Sequence, residues 1–291
     1  MQAALSSFDD SLNRIRDVAK DMETRILAAP PEERLRDETL RCASTVILSG
    51  FFESFLKDCT QAYVTAICQR NIPFALLAGK MQSHHFVAGG QLLGQRYRKE
   101  GRVSWVKSDH LDIARRLSSP ASPGNDYILL WEAYANTEGN PSPVVIDKIL
   151  DTLGVDQRNL RLDAVTGGKY STLKLALGSF IEVRNECAHT GSSLNIPTSA
   201  RLVEYCDLLF TIGAAIVAVL EIKLSESPLG VDINNSGASE LSRIPGLGQA
   251  KIDALIQYRT TYGRLSKIED VLKIPGIGKK LFDVIRLHAH V

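Results

Sequence analysis

Three polar side chains come together in the stretch RNECAH, which follows an otherwise apolar run of the chain. His189 carries an imidazole, a side chain that can act as a general acid or a general base. Arg184 carries a planar, permanent cation that can stabilise developing negative charge, and Asn185 can orient either of these groups. A cation and an imidazole at the end of a helix form either a local polar cap or a reactive site. The elements that position them decide between the two.

The residues before this stretch predict the helix that carries it. In LKLALGSFIEV the apolar side chains recur at helical intervals, which predicts a helix over residues 170–189. In a helix that continues to its end, Arg184 and Asn185 fall on neighbouring positions. His189 is expected near the face of Arg184, about one and a half turns further on. Gly191, in the TGSS that follows, is the predicted C-terminal cap.

The composition indicates an ordinary globular protein with a core. Of the 291 residues, 44% are hydrophobic and 23% are charged, and the formal net charge is +1. Five scattered cysteines without metal-ligand spacing indicate a reduced, cytoplasmic protein rather than a disulfide framework. The N-terminal residues reach acidic side chains before any apolar run, so no signal peptide is expected.

One apolar run is long enough to raise the question of a membrane. LLFTIGAAIVAVL, at 208–220, is shorter than the roughly 20 residues that span a bilayer. Asp207 and Glu221 bracket it. We therefore expect a buried core helix at this place and no association with a membrane.

Helical periodicity dominates the first 225 residues, and no strand alternation is sustained there. Pro30–Pro31 and the turn-rich NTEGNPSP (136–143) separate helical stretches, because proline and glycine interrupt helices. Helices are predicted over 4–28, 33–70, 144–155, 170–189 and 198–224, with shorter helices between 79 and 125. The predicted fold class is therefore all-α, with one helical domain over 1–225 and a small second domain over 226–291.

The second domain contains an internal repeat. SELSRIPGLGQAKIDAL, from residue 239, and EDVLKIPGIGKKLFDVI, from residue 269, match at a constant offset of 30 residues. In each copy a proline ends a short helix, and two glycines permit a tight hairpin whose backbone N–H groups point outwards. These glycines are Gly246 and Gly248 in the first copy and Gly276 and Gly278 in the second.

The repeat predicts two anion sites. A helix begins at each hairpin, so unpaired N–H groups and the positive end of the helix dipole meet at one place. Lys251, Lys279 and Lys280 lie just behind these places. Two such sites on pseudo-symmetric halves could hold phosphates on the two strands of a duplex. The expected binding residues are therefore the four hairpin glycines and these three lysines.

The second domain also resembles a known family. VDINNSGASELSRIPGLGQAKIDALIQYR, continued by YGRLSKIEDVLKIPGIGKKLFDVI, resembles tandem helix-hairpin-helix domains, in particular the DNA-binding domain of bacterial competence DNA receptors. The resemblance implies sequence-independent binding of residues 231–291 to the backbone of duplex DNA or structured RNA. Those receptors carry a membrane anchor, which is not expected here. The segment holds nine Lys or Arg against six Asp or Glu, so its binding should be weak and salt-sensitive. Protein contacts or packing are the alternative role.

RNECAH carries a second resemblance. An Arg followed by a polar residue, with a His a few residues later and beside the last long helix of a bundle, resembles the HEPN superfamily. Arg184, Asn185 and His189 match that motif position by position. GFFESFLKDC (50–59) is similar to the family's early core helix, with Glu53 facing the bundle. Within the superfamily the chain is most similar to the bacterial branch of predicted ribonucleases.

The HEPN resemblance implies a HEPN-like helical bundle that cleaves RNA without a metal or other cofactor, as a homodimer whose motif helices pair. The implied catalytic residues are Arg184, His189, Asn185 and Glu53. Such cleavage needs an acid or base for the hydroxyl oxygens and a cation for the phosphorane, which a histidine and an arginine supply. The implied role is a toxin or phage-defence effector with an antitoxin or defence-system partner. A non-catalytic dimerising adaptor that binds DNA through its second domain is the alternative.

Other candidate residues are weaker. Cys187 lies two residues from His189, which on a helix points the two side chains to different faces, so a Cys/His nucleophilic pair is not expected. His84–His85 and His110 lack metal-ligating companions at suitable spacing and are expected to be core or surface residues. RYRKEGRVSWVK, over 96–107, is either an RNA-binding loop or a solvated loop with an anchoring aromatic residue.

Overall fold

The computed structural model is helical almost throughout, which confirms the predicted all-α fold. It describes residues 1–26, 30–70, 72–100, 107–121, 127–137, 140–190, 196–226 and 230–291. The α-helices are α1 (Gln2–Ile26), α2 (Pro31–Gln69), α3 (Gly79–Glu100), α4 (Lys107–Ser118), α5 (Trp131–Tyr134), α6 (Pro143–Thr152), α7 (Arg158–Val165), α8 (Tyr170–Thr190), α9 (Ser199–Glu226), α10 (Ala238–Leu241), α11 (Gln249–Tyr262) and α12 (Lys279–His288). Shorter 3-10 turns cover Phe74–Leu76, Ser119–Ala121 and Ile268–Lys273, and two short strands are β1 (Val231–Asp232) and β2 (Ala289–His290).

The chain divides into two compact units that do not follow the sequence in order. The first consists of Met1–Tyr63 with Tyr134–Ser225, and the second consists of Val64–Ala133 with Glu226–Val291. Helix α2 therefore contributes residues to both units. The predicted domain boundary at residue 225 stays a prediction.

Aromatic packing holds the core of the first unit. The rings of Phe8 and Phe55 stack with centroids 4.7 Å apart, and both are buried. A Cβ placed on Gly213 of α9 would lie 3.1 Å from the ring of Phe55, so the absence of a side chain there lets α9 approach α2 closely. Residues of α9 are buried along most of its length. By length and composition α9 could cross a membrane, but half of its most apolar window is buried inside the protein, as expected of a core helix.

Helix α8, which carries RNECAH, is fixed in this unit from several sides. Lys174 of α8 forms an ion pair of 2.5 Å with Asp147 of α6. Phe180 of α8 meets Tyr205 of α9 edge-on, with ring centroids 4.9 Å apart. These contacts set both the tilt and the rotation of α8, so they determine which of its faces looks inwards.

The second unit combines an aromatic cluster with the two hairpins. The ring of Phe74 packs edge-on against the rings of His85, Phe86 and Tyr127. Helix α12 lies beside the 3-10 turn Phe74–Leu76 that carries this phenylalanine. Strands β1 and β2 pair in parallel, so the two ends of the C-terminal segment are joined.

The 30-residue repeat is visible in the packing of this segment. Equivalent positions of the two copies are buried to nearly the same extent, at 0 to 4% exposure: Leu241 and Val271, Ile244 and Ile274, Leu247 and Ile277, and Leu255 and Ile285. Each copy therefore contributes the same apolar set to one shared core, and the two hairpins are left on its surface.

Candidate active site and nucleic-acid interface

Helix α8 runs unbroken from Tyr170 to Thr190, so the whole RNECAH stretch is helical, as predicted. At about 100° per residue, His189 lies about 140° around this helix from Arg184. The expectation that the two side chains lie near one face is therefore wrong within a single chain. Asn185 and His189, four residues apart, are the pair that shares a face. The predicted cap Gly191 lies outside the described residues.

Arg184 faces inwards. It lies on the same face of α8 as the buried Leu177, Phe180 and Ile181 and is itself half-buried. Its Nη1 donates a hydrogen bond of 3.1 Å to Oδ1 of Asn185. Its Nε is buried and has no hydrogen-bond partner within the described parts of the chain. The guanidinium thus keeps unused donor capacity, which is what an anion-binding arginine requires.

His189 faces outwards. Its side chain is exposed at the last turn of α8, one residue before the helix ends. An imidazole in this position can exchange protons with solvent or with a bound substrate. A phosphate that contacts both His189 and Arg184 would have to reach from the outer face of α8 to its inner face.

Glu53 of α2 is held by two donors on one oxygen. Its Oε1 accepts a hydrogen bond of 2.6 Å from Nζ of Lys57 and another of 2.6 Å from Oγ1 of Thr137. Burial alone would raise the pKa of Glu53, but these hydrogen bonds and the charges of Lys57 and Arg184 outweigh it and hold the pKa below its ordinary value. Glu53 is therefore a stable carboxylate. It suits the role of orienting Arg184 better than that of a proton donor.

Two members of this network were not predicted. Lys57 lies four residues after Glu53 on the same helix, a spacing that places their side chains together and that the sequence displays. Thr137 is buried at 2% exposure in the segment between α5 and α6, 84 residues away. The sequence of this segment is typical of turns, and no local pattern predicts that the Thr137 hydroxyl binds a residue of α2.

The weaker candidates Cys187, His84 and His85 have structural roles. Burial, together with a hydrogen bond to Cys42, raises the pKa of Cys187 to about 12, so this thiol is a poor nucleophile at neutral pH. His84 hydrogen-bonds through Nε2 to the carbonyl oxygen of Ala133 at 2.9 Å, and His85 is fully buried.

Potential metal ligands lie apart from one another in the described parts of the chain. The described residues contain no group of three His, Cys, Asp or Glu side chains that could hold a metal ion. The side chain of His110 and those of the segment 96–107 lie outside the described residues, so the two interpretations of that segment stay open.

The hairpins have the backbone geometry that the repeat predicts. Gly246 has a φ of 77° and Gly276 a φ of 85°, a left-handed conformation in which glycine is strongly favoured. Gly248 and Gly278 have φ of −69° and −89° and directly precede α11 and α12. Conformation therefore requires glycine at the first position of each pair. At the second position any need for glycine must come from what binds there.

Backbone N–H groups are free at both hairpins. The amide of Leu247 donates to the carbonyl of Ile244 at 3.1 Å, and that of Ile277 donates to Ile274 at the same distance. The amides that follow have no acceptor among the described residues: those of Gly248, Gln249 and Ala250, and those of Gly278, Lys279 and Lys280. These residues are exposed. Each hairpin therefore presents three N–H groups at the positive end of a helix, a geometry suited to one phosphate.

Comparison with known protein families identifies both parts of the chain. Residues 7–221 match the family described as RiboL-PSP-HEPN. The chain belongs to the RiboL-PSP-HEPN family. Residues 227–289 match the helix-hairpin-helix motif. This RiboL-PSP-HEPN protein therefore combines a HEPN-family domain with a helix-hairpin-helix nucleic-acid-binding module, and both predicted resemblances are confirmed.

Curated relatives share only a short segment with the chain. ComE operon protein 1 of Bacillus subtilis is 45% identical over 56 residues, which are 19% of this chain and 27% of that protein. Endonuclease/exonuclease/phosphatase family domain-containing protein 1 of Xenopus laevis is 34% identical over 61 residues, 21% of this chain and 11% of that protein. The chain thus spans less than a third of the length of either relative. No solved structure matches it.

Proposed function

We propose that this RiboL-PSP-HEPN protein is a metal-independent endoribonuclease, active as a homodimer, that docks on nucleic acid through its helix-hairpin-helix module. The carrying observation is the end of α8, where a half-buried Arg184 with spare donors and an exposed His189 stand within one helical stretch. The charge of Arg184 helps to lower the pKa of Glu53, so the two groups interact electrostatically. These are the groups that phosphodiester cleavage by an internal hydroxyl needs.

The proposed reaction uses the 2′-hydroxyl of RNA as the nucleophile. Its oxygen bonds to phosphorus while the bond from phosphorus to the 5′-oxygen breaks, which leaves a 2′,3′-cyclic phosphate and a 5′-hydroxyl. His189 either takes the proton of the 2′-hydroxyl or gives one to the leaving 5′-oxygen, and solvent water completes the other proton transfer. Arg184 stabilises the charge that develops on the phosphorane, and Asn185 orients the arginine or the phosphate. Glu53 keeps the guanidinium in place.

The rotation of α8 supports a site built by two chains. Because Arg184 and His189 lie about 140° apart on the helix, one chain does not present both groups to the same side of a phosphate. Two motif helices related by a two-fold axis could place His189 of one chain beside Arg184 of the other. The homodimer therefore belongs to the proposed mechanism itself.

The helix-hairpin-helix module supplies the proposed docking function. Its free amides contact phosphate oxygens, which occur in every sequence, so binding is proposed to be independent of base sequence. Duplex DNA and structured RNA both present such phosphates. A cytoplasmic toxin or phage-defence effector, restrained or triggered by a partner protein, fits a nuclease with a nonspecific docking module.

A non-catalytic adaptor is the second candidate, and the structure contains one observation in its favour. Arg184 is engaged by Asn185 and turned towards the core, as in a residue that serves packing. Incubation of the purified protein with RNA in EDTA separates the candidates. Cleavage supports the nuclease, whereas intact RNA from a chain that still binds duplex DNA supports the adaptor.

A further inference from the structure

The two hairpins contact each other through a pair of equivalent side chains. A Cβ placed on Gly246 would lie 3.5 Å from Cδ1 of Leu281, and one placed on Gly276 would lie 3.7 Å from Cγ of Lys251. Lys251 and Leu281 occupy the same position of the 30-residue repeat. Each of these side chains therefore covers the left-handed glycine of the opposite hairpin.

Lys251 also reaches back to its own hairpin. Its Nζ donates a hydrogen bond of 3.3 Å to the carbonyl oxygen of Gly246. The aliphatic part of the side chain thus lies on one hairpin while the ammonium binds the other, and the residue is half-buried. Leucine at position 281 makes the apolar half of the same contact. Packing between hairpins is therefore the common task of this position, and the charge of Lys251 is engaged within the protein.

Charge differs between the two phosphate-facing helix starts. Lys279 and Lys280 are the first two residues of α12; both are exposed, and neither forms an ion pair with any described residue. Their equivalents at the start of α11 are Gln249 and Ala250. Gln249 donates to the carboxylate of Asp253 at 2.8 Å. The acidic position is common to both helices, as Asp253 and Asp283. The difference lies in the first two residues: the first hairpin offers its backbone amides beside two uncharged side chains, and the second offers its amides beside two ammonium groups without an ion pair among the described residues.

We propose that the two hairpins are unequal in binding nucleic acid. The second hairpin supplies the side-chain charge through Lys279 and Lys280, and the first binds through its backbone amides alone. Lys251 positions the two hairpins relative to each other and does not neutralise a phosphate. On a duplex, one strand is then held by amides and two cations and the other strand by amides only. This inference rests on the proposed docking function of the module.

The repeat itself supplies matched variants for the test, which uses the full chain and a labelled duplex DNA in a salt titration. Lys251→Leu introduces the residue found at 281, and Lys279→Gln with Lys280→Ala introduces the residues found at 249 and 250. Lys251→Leu should keep the affinity within about twofold and leave the salt slope unchanged. The double variant should reduce the slope by about 1.8, since each neutralised phosphate accounts for about 0.9.

A gain-of-charge variant completes the series. Gln249→Lys with Ala250→Lys should raise both affinity and salt slope, because it gives the first hairpin the cations of the second. Thermal unfolding of Lys251→Leu should match that of the wild type, whereas Lys251→Ala, which uncovers Gly276, should unfold at a lower temperature. Should Lys251→Leu fail to fold, Lys251→Met preserves the covering stem and takes its place.

The outcomes separate this inference from the docking function. A loss of about 0.9 in the salt slope of Lys251→Leu, the value for one neutralised phosphate, would overturn the positioning role of Lys251. Unchanged binding by the double variant would overturn the inequality of the hairpins. Wild-type protein that does not bind duplex DNA at all would overturn the docking function, and this inference with it.

Discussion

Thr137 donates a hydrogen bond of 2.6 Å from Oγ1 to Oε1 of Glu53, although 84 residues separate the two in the chain. Lys57 donates to the same oxygen from the next turn of α2. The segment between α5 and α6 is thereby attached to the carboxylate whose charge acts on Arg184. The segment between α5 and α6 is thus joined to α2 through one part-buried hydrogen bond.

Removing the hydroxyl of Thr137 should destabilise the protein. Thr137→Val keeps the shape but leaves a carboxylate oxygen short of one donor, which should lower the free energy of unfolding by about 1 to 3 kcal/mol. Thr137→Ser retains the donor and should recover most of the loss. Urea unfolding at pH 7 measures both variants. A valine variant as stable as the wild type would show that the hydrogen bond contributes nothing.

The depressed pKa of Glu53 predicts a pH-dependent stability. The carboxyl of Glu53 binds a proton more readily in the unfolded chain than in the folded one. Its contribution to the free energy of unfolding is therefore complete above its ordinary pKa of about 4.3. It is lost as the pH falls through the lower pKa of the folded state. The difference in unfolding free energy between wild type and Glu53→Gln should therefore shrink below about pH 4. A difference that stays constant or grows in acid would contradict this account.

Much of this arrangement could be predicted from local sequence. The apolar spacing before RNECAH predicts α8, and the I-P-G-x-G repeat predicts the two hairpins together with their left-handed glycines. Both rest on local rules, namely the helical period and the conformational freedom of glycine. Such rules involve residues close together in the chain, which is why single-sequence reasoning captures them.

Contacts between distant segments could not be predicted in this way. Nothing near Thr137 indicates that it binds Glu53, and nothing near Lys251 indicates that its stem covers Gly276. Tertiary packing decided both of these contacts. The separation of Arg184 and His189 around α8 is different, because it follows from the helical period alone, and the expected shared face did not apply that period correctly.

The four hairpin glycines should separate into two classes. Gly246→Ala and Gly276→Ala place a side chain in the left-handed region and should each destabilise the protein by about 1 to 2 kcal/mol. Gly248→Ala and Gly278→Ala have an ordinary φ and open space at the Cβ position, so they should fold like the wild type.

Nucleic-acid binding should instead depend on the second glycine of each pair. In Gly248→Ala and Gly278→Ala the new methyl group stands among the free N–H groups and should weaken duplex DNA binding. Thermal unfolding and fluorescence anisotropy on the same samples make the comparison. Wild-type affinity in both of these variants would show that these amides do not bind the phosphate.

A mixed dimer tests whether two chains build the reactive site. Arg184→Ala and His189→Ala should each be inactive alone. When the two are refolded together, one site of the mixed dimer contains an intact Arg184 from one chain and an intact His189 from the other, so activity should return to as much as about half per mixed dimer.

Two controls accompany this experiment. Light scattering should report a dimer for the wild type and for both variants. Activity that does not return on mixing would place Arg184 and His189 of a working site in the same chain. A monomeric wild type that cuts RNA would exclude the two-chain site altogether.

The central claim is that His189 and Arg184 direct the 2′-hydroxyl of RNA against its own phosphodiester without a metal. The most direct measurement is mass analysis of the product ends after incubation in EDTA, with wild type, His189→Ala and an all-2′-deoxy oligonucleotide of the same sequence. We expect 2′,3′-cyclic phosphate ends from wild type, a loss of at least about 100-fold in His189→Ala, and no cleavage of the deoxy strand. Full activity in His189→Ala, or cleavage of the deoxy strand, would contradict the account.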